Sequence, residues 1–179
     1  FAVRGLEGQG APLHELVTRC TAWTAAFEGD GRYRLLHAQV LYDHGELEAS
    51  RAMLLEAVAA SAHELEVLEG MLTLLEALGL HDESDALLER VAGETDAEWV
   101  REAIVRKFWR KGLLRDASEA IAAARAGGSA PSHRLLRWEA IIALESNDDD
   151  TARAALDALV AAASTLEADE RDFERAWVE

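Results

Sequence analysis

The stretch LYDHGELEAS, residues 41–50, sets a glycine between two helix-forming runs, and the same break returns as ALGLHDESD around Gly79, FWRKGLLRDAS around Gly112 and LESNDDDTA around Asn147. The steps between the break residues are 34, 33 and 35. One glycine caps one helix, whereas a break that recurs at a fixed interval defines a unit. Asn147 fits the series because Asn also tolerates the left-handed backbone that ends a helix. The second half of each unit keeps step. Five positions after each break stands a small residue, Ser50, Ser84, Ala117 and Ala152, followed four later by Leu54, Leu88, Ile121 and Leu156 and then three later by Ala57, Val91, Ala124 and Leu159. Spacings of four and three place these residues on one helix face, where the small residue admits a neighbouring helix and the larger ones fill the interface.

Helix starts recur as well. Ser61-Ala-His-Glu64 and Thr95-Asp-Ala-Glu98 read as S/T-x-x-E capping boxes. Ser129 follows after another 34 residues, behind the helix-stopping pair Gly127-Gly128 and ahead of Pro131, which a first turn accepts. Ala and Leu dominate the apolar half of the composition, no alternating run reaches strand length, and the two prolines lie outside the periodic segments. The expectation is an all-α chain. Leu13 to Phe27 reads as one further helix, and no run approaches the ~18 apolar residues of a membrane span.

Charge restricts the partners. The net charge of −16 opposes general binding of nucleic acid or insertion at anionic membranes. Yet residues 97–137 hold nine Lys/Arg against four acids, while the rest of the chain holds nine against thirty. Cys20 is the only cysteine, so no internal disulfide forms and a reducing, cytoplasmic compartment is expected, or a periplasmic one where a leader has been removed.

Helix pairs of about 34 residues, with an aromatic in the first helix, a turn and an Ala-rich second helix, resemble the tetratricopeptide repeat family. The likeness is closest in WVREAIVRKFWRKGLLRDASEAIAAAR, residues 99–125, where Phe108, Gly112, Ala117 and Ala124 occupy the family's aromatic, turn, small and packing positions. Ala38, Leu41, Gly45, Leu54 and Ala57 fit in the first unit, with Ser50 in place of Ala. Leu72 fills a normally small position in the second, where a splayed pair is expected, and Glu139 a normally apolar one in the fourth. The resemblance implies a right-handed α-solenoid of antiparallel helix pairs: units at 31–64, 65–97, 98–132 and 133–166, an N-terminal helix or partial repeat in 1–30, and a C-terminal cap or partial repeat in 167–179.

It also implies a binding role. Such arrays take a peptide or protein partner along the wall formed by their first helices, and the matching positions here include Gln39 and Tyr42 in the first unit, Trp99, Glu102, Arg106, Trp109 and Arg110 in the third, and Arg134 and Arg137 in the fourth. At ~100° per residue the third set shares one arc, opposite Val100, Ile104 and Phe108. Trp beside Arg is typical of interface hot spots, and the local positive charge suits an acidic partner segment. The competing reading is that these Trp residues pack between units while the Arg residues lie over them or pair with Glu on a neighbouring helix. A chaperone-tail clamp is not expected, because the position where it needs Asn reads Gln39, Thr73, Arg106 and Ile141. Two further roles stand as alternatives: a regulatory or substrate-presenting extension of an enzyme such as a glycosyltransferase, and self-association through Trp138 or Trp177.

No catalytic constellation emerges, and no cofactor or metal is expected. His37 and His44 lack a third ligand at suitable spacing. Asp148-Asp149-Asp150 stands where a helix starts, a place favoured for acids by the helix dipole. GLEGQG at 5–10 has no flanking strand to make it a nucleotide loop, and Cys20 has no His partner.

Overall fold

A computed structural model describes residues 12–28, 30–60, 65–126 and 132–163, and these are helical throughout apart from turns. The helices are α1 (Leu13–Ala26), α2 (Gly31–Asp43), α3 (Leu47–Ala60), α4 (Leu65–Ala77), α5 (His81–Ala92), α6 (Glu98–Arg110), α7 (Leu114–Ala126), α8 (His133–Glu145) and α9 (Asp149–Ala163). No strand occurs among the described residues, and none of the helices is long and apolar enough to cross a membrane. The chain forms two compact units, residues 1–93 and 94–179.

Four turns join the helices of a pair, and they are chemically the same turn. Gly45, Gly79, Gly112 and Asn147 hold φ of 80°, 71°, 70° and 57°. Each donates its N–H to the carbonyl three residues back, and the next residue donates to the carbonyl five back, as in Gly112 N to Trp109 O at 2.8 Å and Leu113 N to Phe108 O at 3.0 Å. This is the Schellman arrangement, which satisfies the last carbonyls of the first helix. The same following residue then opens the second helix, since its carbonyl accepts the N–H of Ser50, Ser84, Ala117 or Ala152 at 2.9 to 3.0 Å. The small residues are therefore fixed in register by the turn, and all four are buried, at 0 to 2% exposure.

The larger residues behind them are buried too, except Leu156, which is half-buried. In the first unit Ser50 Oγ donates to Ala38 O at 2.7 Å, so the Ser that replaces Ala is satisfied across the pair. Within each unit the second helix of one pair also packs on the first helix of the next, and the two first helices touch each other: α3 on α4 and α2 on α4, then α7 on α8 and α6 on α8. First helices thus adjoin along one side. The α4–α5 interface is thinner than that of the other pairs, in keeping with Leu72, buried at 2%, where a small residue would admit closer approach.

The helix starts differ from expectation. Thr95 forms no capping box: its Oγ1 accepts the Ala97 N–H at 3.3 Å, and α6 begins at Glu98 behind Ala97, which offers no side-chain cap. The chain turns two residues later than the motif requires. α8 is capped by Ser132, which accepts from Leu135 N at 3.3 Å; the boxes at Ser61 and the candidate Ser129 lie outside the described residues. Asp148 caps α9 by accepting the Thr151 N–H and hydroxyl, and those bonds hold its carboxyl below the ordinary range. α1 packs on α2 through Leu16, Cys20 and Val40.

A Cβ at Gly112 would meet nothing within 4 Å, so the position requires glycine for its backbone and not for room. Gly112→Ala is expected to cost about 1 kcal/mol in urea denaturation and Gly112→Asn clearly less, because Asn enters left-handed backbone more readily.

Candidate functional site

In the second unit the adjoining first helices α6 and α8 meet along a seam built from aromatic rings and charge. Val105, Ile121, Leu135, Trp138 and Ile142 form the core beneath it, with Phe108, Trp109 and Ile141 packed against that core. Trp109 and Trp138 lie 5.1 Å apart, tilted by 57°, within the centroid range over which aromatic pairs attract. Each indole then finds a carboxylate on the other helix. Trp138 Nε1 donates to Glu102 Oε1 at 3.3 Å, and Trp109 Nε1 donates to Glu145 Oε2 at 2.9 Å.

Glu102 is the centre of this seam. It is 6% exposed, which a lone carboxylate would not tolerate. Its charge is answered by Arg106 at 3.5 Å, one turn along α6, and by Arg134 at 3.6 Å from the start of α8. One carboxylate thus faces two guanidiniums and an indole N–H. Arg134 keeps a side chain 46% exposed and Arg106 one 28% exposed, so both also reach the surface. Arg110 and Lys107 lie in the last turn of α6, where the helix dipole favours cations. Arg137 and Trp99 are half-buried on α8 and α6.

The structure therefore brings Arg106, Trp109 and Arg134 together and gives each a definite neighbour. Sequence periodicity placed Glu102 on the groove wall but missed it as the buried acceptor at the seam. The signal was available: Arg106 follows it by one turn, and the pairs Glu102–Trp138 and Trp109–Glu145 share a separation of 36, close to the repeat. Trp138 is corrected outright. At 8% exposure it belongs to the core and offers no surface for a homodimer contact; Trp177 lies outside the described residues. Glu139, at its normally apolar position, is half-buried and ion-paired with Arg125 of α7, and burial raises its carboxyl above the ordinary range against the opposing pull of Arg125.

Gln39 and Tyr42 belong to the first unit. Gln39 Nε2 donates to Asp43 Oδ1 at 2.8 Å along α2. Tyr42 lines a cleft of about 620 Å³ with Leu47, Arg51 and Ala77. Counted from the turn residues, Tyr42 and Ala77 are the equivalents of Trp109 and Glu145. What closes the seam in the second unit is open in the first because alanine cannot reach across. Likewise Leu35 and Gly70 are the equivalents of Glu102 and Trp138, and a Cβ on Gly70 would lie 2.7 Å from Leu35 Cδ2. The first unit joins its first helices by a leucine over a glycine; the second uses a carboxylate under an indole.

Comparison of the chain with protein-family models, with curated proteins and with solved structures finds no match.

Two outcomes follow from the seam. Glu102→Ala strands two guanidiniums and an indole N–H; because both Arg side chains can turn toward water, the loss belongs near the low end for a broken buried pair, about 2 kcal/mol in urea denaturation. Glu145→Gln, at the exposed end, should cost under about 1 kcal/mol. For Glu139, a raised folded-state pKa means the folded chain holds the proton more tightly than the unfolded chain, so stability falls as pH rises through that range. Glu139→Gln is then at least as stable as wild type at pH 7, and the two converge at pH values below the ordinary carboxylate range.

Proposed function

We propose that the chain is a protein-binding module, a right-handed helical-repeat solenoid of the tetratricopeptide kind, that docks an acidic segment of a partner along the α6–α8 face. Support for the architecture comes from the recurring Schellman turns and from first helices that adjoin each other within each unit. The observation that carries the binding site is the basic grouping at the seam: Arg106 and Arg134 both meet the buried Glu102 carboxylate, and both side chains still reach the surface. Arg110, Arg137 and Lys107 on the same two helices extend it.

A partner carboxylate meets cations that packing has already positioned, so little ordering entropy is lost on docking. Leu144, 53% exposed on α8 beside Glu145, supplies an apolar contact for a side chain flanking the acids. Acidic surroundings over the rest of the chain repel a partner that approaches elsewhere, which favours correct registration. Trp109 serves this face as support: its ring packs at a tilt against Trp138 and its N–H is held by Glu145.

The test uses labelled twelve-residue peptides with alternating Glu/Leu, Gln/Leu or Lys/Leu, read by fluorescence anisotropy. The acidic peptide should bind, weaken as salt rises, and lose roughly tenfold or more in affinity, about 1.4 kcal/mol, in Arg110→Glu/Arg137→Glu. These two residues are chosen because they are distinct from Arg106 and Arg134, the two that meet Glu102. Equal binding of the Gln and Glu peptides, or an unaffected double variant of native circular dichroism, would remove the acidic-partner reading.

A further inference from the structure

We infer that the cleft between α1, α2 and α3 in the first unit binds a small zwitterion, a carboxylate and an ammonium on one short skeleton as in a free α-amino acid. The cleft has a volume of about 320 Å³ and is lined by Thr21, Thr24, Glu28, Arg34, His37, Met53 and Glu56, with Ala25. That is the small end of the range for ligand pockets.

Two of its groups lack what buried polar atoms normally have. Arg34 Nη1 and His37 Nδ1 are out of contact with water and have no hydrogen-bond partner, and His37 as a whole is 6% exposed. Buried donors of this kind are costly and rarely left unmet. The other helix pairs show what these positions hold elsewhere. Counted from the turn, Arg34 corresponds to Leu68, Arg101 and Leu136, and His37 to Met71, Ile104 and Glu139. Leu68, Leu136 and Met71 are core residues. Where the other pairs turn polar, each side chain has an opposite charge beside it, Arg101 facing Asp96 at 3.9 Å and Glu139 paired with Arg125, although Arg101 Nε is itself buried without a hydrogen-bond partner. Only the first pair sets two polar side chains at these positions and joins them to an open cleft among the described residues.

The remaining lining fixes the ligand's polarity. Thr21 Oγ1 gives its proton to Val17 O at 2.8 Å and Thr24 Oγ1 gives its own to Cys20 O at 2.9 Å, so both hydroxyls face a ligand as acceptors. Glu28 and Glu56 are acceptors too. Burial lowers the His37 pKa, which leaves its imidazole neutral near pH 7 with one N–H to give. Donors are therefore confined to Arg34 and His37 on α2, and acceptors to the α1 end and α3. A ligand carboxylate meets the guanidinium, which swings about its last single bonds to receive it, and the ammonium meets Glu28 and Glu56. Met53 and Ala25 leave an apolar surface for the rest of the molecule.

The full chain, labelled with nitrogen-15, would be titrated by NMR with each of the twenty standard L-amino acids, and separately with acetate and with methylammonium. At least one amino acid should saturate amide shifts around Thr24, His37 and Met53 with a Kd below about 1 mM, and each single-charge probe should bind about tenfold or more weakly. Arg34→Leu, which copies Leu68, should keep or raise the melting temperature while abolishing binding; exposed Glu56→Gln should weaken binding about tenfold without affecting the fold. The inference is overturned by the absence of saturation with all twenty, by acetate binding as tightly as the best amino acid, or by unchanged affinity in either variant.

Discussion

Everything in this chain hangs on one backbone event, the left-handed residue that closes the first helix of each pair. A residue at positive φ stops a right-handed helix abruptly while still satisfying its last carbonyls, and Gly45, Gly79, Gly112 and Asn147 do so. Because the next residue both completes the C-terminal bonds and opens the second helix, no slack remains between the two helices. The register of the second helix is then set before any side chain is consulted. Ser50, Ser84, Ala117 and Ala152 arrive at the pair interface as a consequence, and being small they let the helices close.

With register fixed, chemistry varies at constant positions. The seam between first helices is leucine over glycine in the first unit and carboxylate under indole in the second, at equivalent places. The polar version is an unusual choice, since buried ion pairs seldom add stability over an apolar isostere. What it adds is orientation and charge: Glu102 holds Arg106 and Arg134 where both still reach the surface. A seam that only packed would need neither guanidinium.

The all-α class, the turns and the packing rows could be read from the sequence because each depends on residues within a dozen positions of one another. The seam could not be read in the same way. A helical wheel places Glu102, Arg106 and Trp109 on one arc correctly, but whether that arc faces solvent depends on α8, which begins 31 residues beyond Glu102. Trp138 was misplaced on a surface for the same reason: its burial is decided by α6, not by its own helix. Thr95 shows the opposite limit, a local motif of the right composition that fails because α6 begins only at Glu98 and the cap falls to Ala97.

A polar residue at a normally apolar position changes meaning with its surroundings. Glu139 answers Arg125, and Glu102 answers two cations and an indole, so in each case the polar group is spent within the fold. Arg34 and His37 have no such answer from the helices around them. Their equivalents Leu68 and Met71 show that the register itself does not require charge there. A group that the fold neither needs nor satisfies, placed beside a cleft lined with acceptors, is better accounted for by a molecule that enters than by the packing it interrupts. The two units thus depart from apolar packing in different directions: α6 and α8 gather Arg106 and Arg134 around the Glu102 carboxylate, whereas α2 keeps its donors beside a cleft that a small ligand can fill.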